Sequence, residues 1–243
     1  MIVDVHTHPF KSWAVFPRAY FERFYQFKKA QIGEEAAERL RRIDGSVEAL
    51  IRDMDEAGVE KSVISPLDYS VAFQEEPEIS IWRANEYAAE AQENNPDRII
   101  AFAGVDPQRK DAIELLETAI TKWGLKGVKI LPTCLVTDEV VQSFMRKVDD
   151  LEIPVLIHQG VSVPPFAVKY GNPADLDLLA HKYPRMKVIA AHVAEGHESL
   201  LLAVIKYRAK TIYTDIASMQ YDTWQSPWYF TMLMRLLMDK IPD

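Results

Sequence analysis

Seven short runs rich in β-branched side chains alternate with amphipathic stretches along this chain, and that rhythm restricts its fold more than any other feature. The runs occupy residues 2–5, 61–65 (KSVIS), 99–105 (IIAFAGV), 127–130 (GVKI), 154–158 (PVLIH), 187–191 (KVIAA) and 211–214 (TIYT). Helical patterns fall between them at 46–57, 79–94, 111–122, 138–151, 174–182, 198–206 and 226–238. Ser46 and Asp138 stand where N-caps belong, and Gly58 and Gly124 where helices stop. Each helix returns the chain for another parallel strand, which fits either a closed barrel or an open doubly wound sheet. The barrel, a TIM-type (β/α)8 fold of the α/β class, is the expectation, because polar residues able to do chemistry recur at or just past the strand C-termini.

The 243 residues, 48% of them hydrophobic, suffice for one large core, so a single domain over residues 1–243 is expected. A net charge of −8, from 28 basic and 36 acidic side chains, leaves counterion release little to act on, and nucleic acid is not expected as a partner. The apolar runs at 153–157 and 188–191 are far too short to cross a bilayer, and the N-terminus lacks a signal-like pattern. These features predict a cytoplasmic protein with no membrane partner. Cys134, the single cysteine, has no internal disulfide partner and reads as a buried bystander.

Residues 10–45 break the rhythm. Trp13, Phe16, Tyr20, Phe21, Phe24, Tyr25 and Phe27, mixed with basic side chains, predict a helical insertion after the first strand, near the active-site mouth. Such an insertion either closes on a ligand or packs on the barrel rim or another subunit, which leaves a homodimer open.

Chemistry enters with VDVHTHP. Side chains two apart on a strand share a face, so His6 and His8 can both reach one cation; on a helix they would diverge by about 200°. Two imidazoles on one side are half of a zinc site, although short HxH matches also arise without function. Asp4 shares their parity and is expected deeper in the barrel, supporting the ligands rather than coordinating. His158 closes PVLIH and His192 follows KVIAA, so both also sit at strand ends, as ligands and proton carriers in a barrel must; His181 and His197 do not.

The motifs DVHTHP, AFAGVDP, GVKI, IPVLIHQG, VIAAHVAEG and YTDIAS run along nearly the whole chain, and together they resemble the amidohydrolases related to aminocarboxymuconate semialdehyde decarboxylase. The resemblance implies one divalent cation, zinc or else manganese or a similar ion, with His6, His8 and His158 as ligands. His192 then looks like the strand-six histidine that acts on substrate or on metal-bound water. Asp215, in YTDIAS, looks like a supporting carboxylate, with replacement of a missing ligand as its alternative. Relatives carry a further aspartate ligand in a segment like FGSDxP that closes strand eight, and this chain has none. It reaches DKIPD where that strand would begin, so strand eight is expected to be missing. The natural polypeptide would then continue past Asp243; otherwise this is a truncated form with an impaired site.

The expected activity is metal-dependent hydrolysis of a small amide, ester or lactone that bears a carboxylate. Lys129, ending GVKI, either anchors that carboxylate or is an ordinary strand-end lysine. Asp106 faces the mouth or merely forms an Asp-Pro turn. Leu131 stands where relatives often carry a histidine, so substrate contacts are expected to differ. Non-oxidative decarboxylation of an unsaturated or aromatic carboxylic acid is the alternative on the same site; retention of His6, which some decarboxylating relatives replace by glutamate, leans towards hydrolysis. A non-catalytic barrel remnant or binding module is the alternative of another class.

Overall fold

The computed structural model describes residues 1–162, 165–208, 210–219 and 226–240. The chain forms two compact units, Met1–Leu131 and Pro132–Asp243.

The first unit carries strands β1 (Val3–Thr7), β2 (Lys61–Ile64), β3 (Ile99–Ala101), β4 (Ala103–Gly104) and β5 (Val128–Ile130). Its helices are α1 (Arg18–Ile32), α2 (Glu34–Leu40), α3 (Val47–Ala57), α4 (Ser70–Phe73), α5 (Ile81–Asn94) and α6 (Ala112–Thr121). β1, β2 and β3 pair in parallel in that order, and β4 pairs in parallel with β5. The expected strand at 99–105 is thus two pieces that change neighbour at Phe102. The second unit contains α7 (Gln142–Asp150), β6 (Val155–Ile157), α8 (Pro173–Lys182), β7 (Val188–Ala190), α9 (Glu198–Arg208), β8 (Ile212–Thr214) and α10 (Pro227–Lys240). Here β6, β7 and β8 pair in parallel in chain order. Among the described residues no strand follows β8; residues 241–243, at the expected start of a further strand, lie outside them. No described helix is long and apolar enough to cross a membrane.

Local chemistry sets the helix ends. Ser46 Oγ accepts the Ala49 N–H at the start of α3, and Gly58, at φ 69°, ends that helix in the left-handed conformation that glycine adopts without strain. Asp138 is not the N-cap of α7: a 3₁₀ turn, Glu139–Val141, intervenes, and the Asp138 carboxylate accepts the Leu135 N–H instead. On α5 the buried positions Ile81, Ala84, Ala88 and Ala91 follow the helical period, and Asn85 lies among them with no exposure. The neighbours of Gly104 in β4, Ala103 and Val105, bond towards β5. The N–H and C=O of Gly104 point the other way, and Asn85 accepts from one (2.8 Å) and donates to the other (3.0 Å). Asn85→Ala is expected to strand both groups in the core and cost about 3 kcal/mol, read as a shift of the urea midpoint. A loss below about 1 kcal/mol would mean that these backbone groups have found other partners.

The 10–45 segment is helical, as expected, through α1 and α2. Pro17 offers α1 no side-chain cap, and Glu75 supplies one from afar, its two oxygens accepting from the Arg18 N–H (3.0 Å) and the Ala19 N–H (3.1 Å). Tyr20 stacks on Tyr69 with ring centroids 4.0 Å apart, and Phe73 meets Tyr20 edge-on. Burial raises the hydroxyl pKa of both tyrosines, that of Tyr69 strongly. The insertion therefore packs on the segment that follows β2 in the same unit.

Candidate functional site

In the first unit, β1 departs from simple alternation. Val3 and Asp4 face Lys61 and Ser62, but Thr7 faces Ile64, so three steps along β1 match two along β2. This bulge resets the parity between Asp4 and the histidines. Asp4, expected deep in the barrel, is exposed, and its Oδ1 accepts the backbone N–H of His6 (3.0 Å). His6 is buried and His8 half-buried, and their rings meet edge to face with centroids 4.8 Å apart.

The hydrogen bonds of these rings fix which nitrogen carries a proton. His8 Nδ1 lies 2.9 Å from the Ser65 carbonyl, which can only accept, so Nδ1 bears the hydrogen and Nε2 the lone pair. Ser65 Oγ lies 3.2 Å from the same nitrogen. His6 Nε2 lies 3.0 Å from Lys129 Nζ, and an ammonium can only donate, so this nitrogen also presents a lone pair. Lys129 is 2% exposed and is among the largest of the fully buried side chains. Asp106 is buried as well; its Oδ1 accepts from the Gln108 N–H, and its own N–H is held by Asp68, whose carboxylate lies 3.6 Å from the Arg109 guanidinium.

In the second unit the parallel register sets Ile157 beside Ala190 and Ala190 beside Thr214, so the residues that follow emerge at one level. His158 and His192 have ring centroids 4.7 Å apart. His192 Nδ1 lies 3.0 Å from the Ala217 carbonyl, which leaves the lone pair on Nε2. His192, Val193 and Ala194 have φ of 60°, 49° and 53°, three successive non-glycine residues in the left-handed region. That conformation costs an L-residue about 1–2 kcal/mol, and it is a genuine outlier for β-branched Val193. Asp215 sits against this turn: its Oδ1 accepts from the His192 N–H (2.9 Å) and its carbonyl from the Val193 N–H (2.9 Å). Gln159 is fully buried beside His158, and its Oε1 finds no partner among the described residues. Cys134 is buried.

Sequence reasoning did not find Ser65, Ala217 or Gln159. Two of these act through a backbone carbonyl, which every residue possesses and no motif marks; IHQG contained the third without distinguishing it.

Comparison with known proteins places this arrangement in a family. The amidohydrolase family profile matches residues 3–231. No curated protein matches. Among solved structures, an uncharacterised TIM-barrel protein from Bordetella bronchiseptica is 21% identical with a TM-score of 0.67, over 88% of this chain and 74% of that one. A dihydroxybenzoic acid decarboxylase from a Polaromonas species, solved with bound manganese and the inhibitor 2-nitroresorcinol, is 16% identical with a TM-score of 0.66, over 99% and 82%. A probable 2-pyrone-4,6-dicarboxylic acid hydrolase from Acinetobacter baumannii, solved with citric acid, is 15% identical with a TM-score of 0.60, over 98% and 79%. Likeness at these identities establishes the fold alone, an α/β fold of the TIM-barrel kind. With the family profile spanning nearly its whole length, the chain belongs to the amidohydrolase family.

Proposed function

We propose that this protein is a metal-dependent hydrolase of a small amide, ester or lactone carrying a carboxylate, with one divalent cation, zinc or else manganese, held by His6, His8 and His158. The observation that carries the proposal is the commitment of Nδ1–H to a backbone carbonyl in both His8 and His192, which leaves Nε2 of each as a lone-pair donor of fixed direction. Histidines that bind metals characteristically donate their other ring N–H in this way. The donors fit a borderline-soft cation, and at His6 such an ion would compete with the Lys129 ammonium for one lone pair.

When bound, a divalent cation acidifies water towards neutrality and polarises a carbonyl. Each nearby side chain then has a task of its own. His192 Nε2 accepts the proton of the attacking water and returns it to the leaving group, a role suited to the one side chain whose ordinary pKa lies near neutrality. Lys129, displaced from His6, offers its ammonium to the substrate carboxylate. Asp4 and Asp215 support the histidines through their backbone N–H groups.

The test combines metal analysis with a substrate panel. Purified protein is expected to carry about one equivalent of divalent metal, and after chelation to regain activity with zinc or manganese. Lactones, esters and amides of small carboxylic acids should be opened without release of carbon dioxide. Carbon dioxide from unsaturated or aromatic acids, with no hydrolysis, would replace this reading by decarboxylation. Less than about a tenth of an equivalent, unchanged by added metal, would leave a non-catalytic protein.

A further inference from the structure

The left-handed turn after β7 has no glycine to relax it. His192 (φ 60°, ψ 26°), Val193 (φ 49°, ψ 23°) and Ala194 (φ 53°) follow one another, and the first left-handed glycine of this segment, Gly196 at φ 84°, comes two residues later. A backbone so placed persists only where its surroundings over-determine it. The segment that follows β8 does so. Asp215 Oδ1 accepts from the His192 N–H at 2.9 Å and from the Ala217 N–H at 3.0 Å, so one oxygen ties the turn to the residue whose carbonyl holds the His192 ring. The Asp215 carbonyl accepts from the Val193 N–H at 2.9 Å, and the Asp215 N–H returns to the Ala190 carbonyl at 3.4 Å.

We infer that Asp215 is a positioning residue: its Oδ1 clamps the left-handed turn and the Ala217 backbone N–H together, and that clamp, acting as a hydrogen-bond acceptor and not as a charge, holds Ala217 where its carbonyl fixes the direction and tautomer of His192. Its bearing on catalysis rests on the role proposed above for His192; the clamp itself does not.

Two substitutions separate acceptor from charge. Asp215→Asn keeps a carbonyl-type Oδ1, whereas Asp215→Ala removes it. The readout is the imidazole nitrogen spectrum of full-length, histidine-labelled protein at mildly alkaline pH, with the His192 signals identified by comparison with His192→Gln. Wild type and Asp215→Asn should show His192 as a single Nδ1–H tautomer. Asp215→Ala should show exchange between tautomers while its circular dichroism stays native, and Ala194→Gly in that background should restore part of the fixed signature, because glycine takes φ near 53° without strain. In turnover, kcat should fall roughly 10- to 100-fold for Asp215→Ala, and less than about tenfold for Asp215→Asn, with KM nearly constant. An Asp215→Asn spectrum that exchanges like that of Asp215→Ala, with or without loss of bound metal, makes charge the ordering agent and overturns the inference. A fixed tautomer in Asp215→Ala overturns it too. Should Asp215→Ala not fold, the Asp215→Asn spectrum decides alone. Because the spectra need no turnover, an inactive protein with the expected signatures would count against the hydrolase and not against the clamp.

Discussion

If His8 holds the proposed cation, alanine in its place is expected to strip the protein of bound divalent metal and lower kcat/KM by roughly a thousandfold or more, since such an ion is what makes water reactive at neutral pH. Its fold should survive. His8 is half-buried, and its loss removes the Nδ1 contacts to Ser65, a hydrogen bond of this kind being worth about 1 kcal/mol. Ser65→Ala supplies the internal comparison. The Ser65 carbonyl, 2.9 Å from His8 Nδ1, remains in that variant, so the loss of the hydroxyl at 3.2 Å should cost less than about tenfold. Metal content by mass spectrometry and the rate of the best substrate from the panel read both variants. A His8→Ala protein that keeps its metal and its rate would remove His8 from the site.

Gly160→Ala carries the largest expected effect on stability. At φ 84° a side chain is strained, and a methyl group there would sit 2.4 Å from the backbone N and O of Glu195, with the Ala194 carbonyl carbon at 2.6 Å. Those are main-chain atoms of the segment that includes the left-handed turn, and the Val161 N–H already bonds to the Glu195 carbonyl. Neither side can yield cheaply. We expect a loss of about 3–5 kcal/mol, a fall of roughly 10 °C in Tm, and reduced activity, because the clash pushes on the residues that aim His192. A melting temperature within about 2 °C of wild type would show that this backbone gives way more easily than its close packing implies.

Much of the fold was legible because hydrophobic burial writes its period into the sequence. Every expected strand appears with ends shifted by one or two residues, and the helices do likewise except α7, which starts four residues later than expected, after a 3₁₀ turn; α3 begins one residue after its serine cap, as VEALI announced. What escaped notice was set by tertiary partners. The strand at 99–105 divides at Phe102 because its two pieces serve different neighbours. Nothing in VDVHTHP marks the bulge that turned Asp4 outward, since bulges arise from the register with a partner strand. Asp138 looked like a cap and bonds instead within its own loop. The short helix α4, Ser70–Phe73, carries too few residues for any periodicity to show.

The candidate site was legible in its residues and not in its supports. His6, His8, His158 and His192 stood out because imidazoles are few and these end strands. The elements that fix the protons of His8 and His192 are the carbonyls of Ser65 and Ala217, and AHVAEG offers no glycine or asparagine at 192–194, where the backbone is left-handed. A segment of alanine, histidine and valine ordinarily avoids that region, and the hydrogen bonds from the neighbouring strand end join those within the turn in holding it there.

The remote cap on α1 has a consequence for how this insertion moves. Glu75 grips the first turn of the helix with both oxygens, and the Tyr20–Tyr69 stack joins the same two segments through their rings. Swinging the insertion outward would uncap a helix and unstack an aromatic pair in one motion, so the two stretches are expected to travel as a single block. Substitutions that break either link should therefore loosen both stretches together, and those that keep both should leave the block intact.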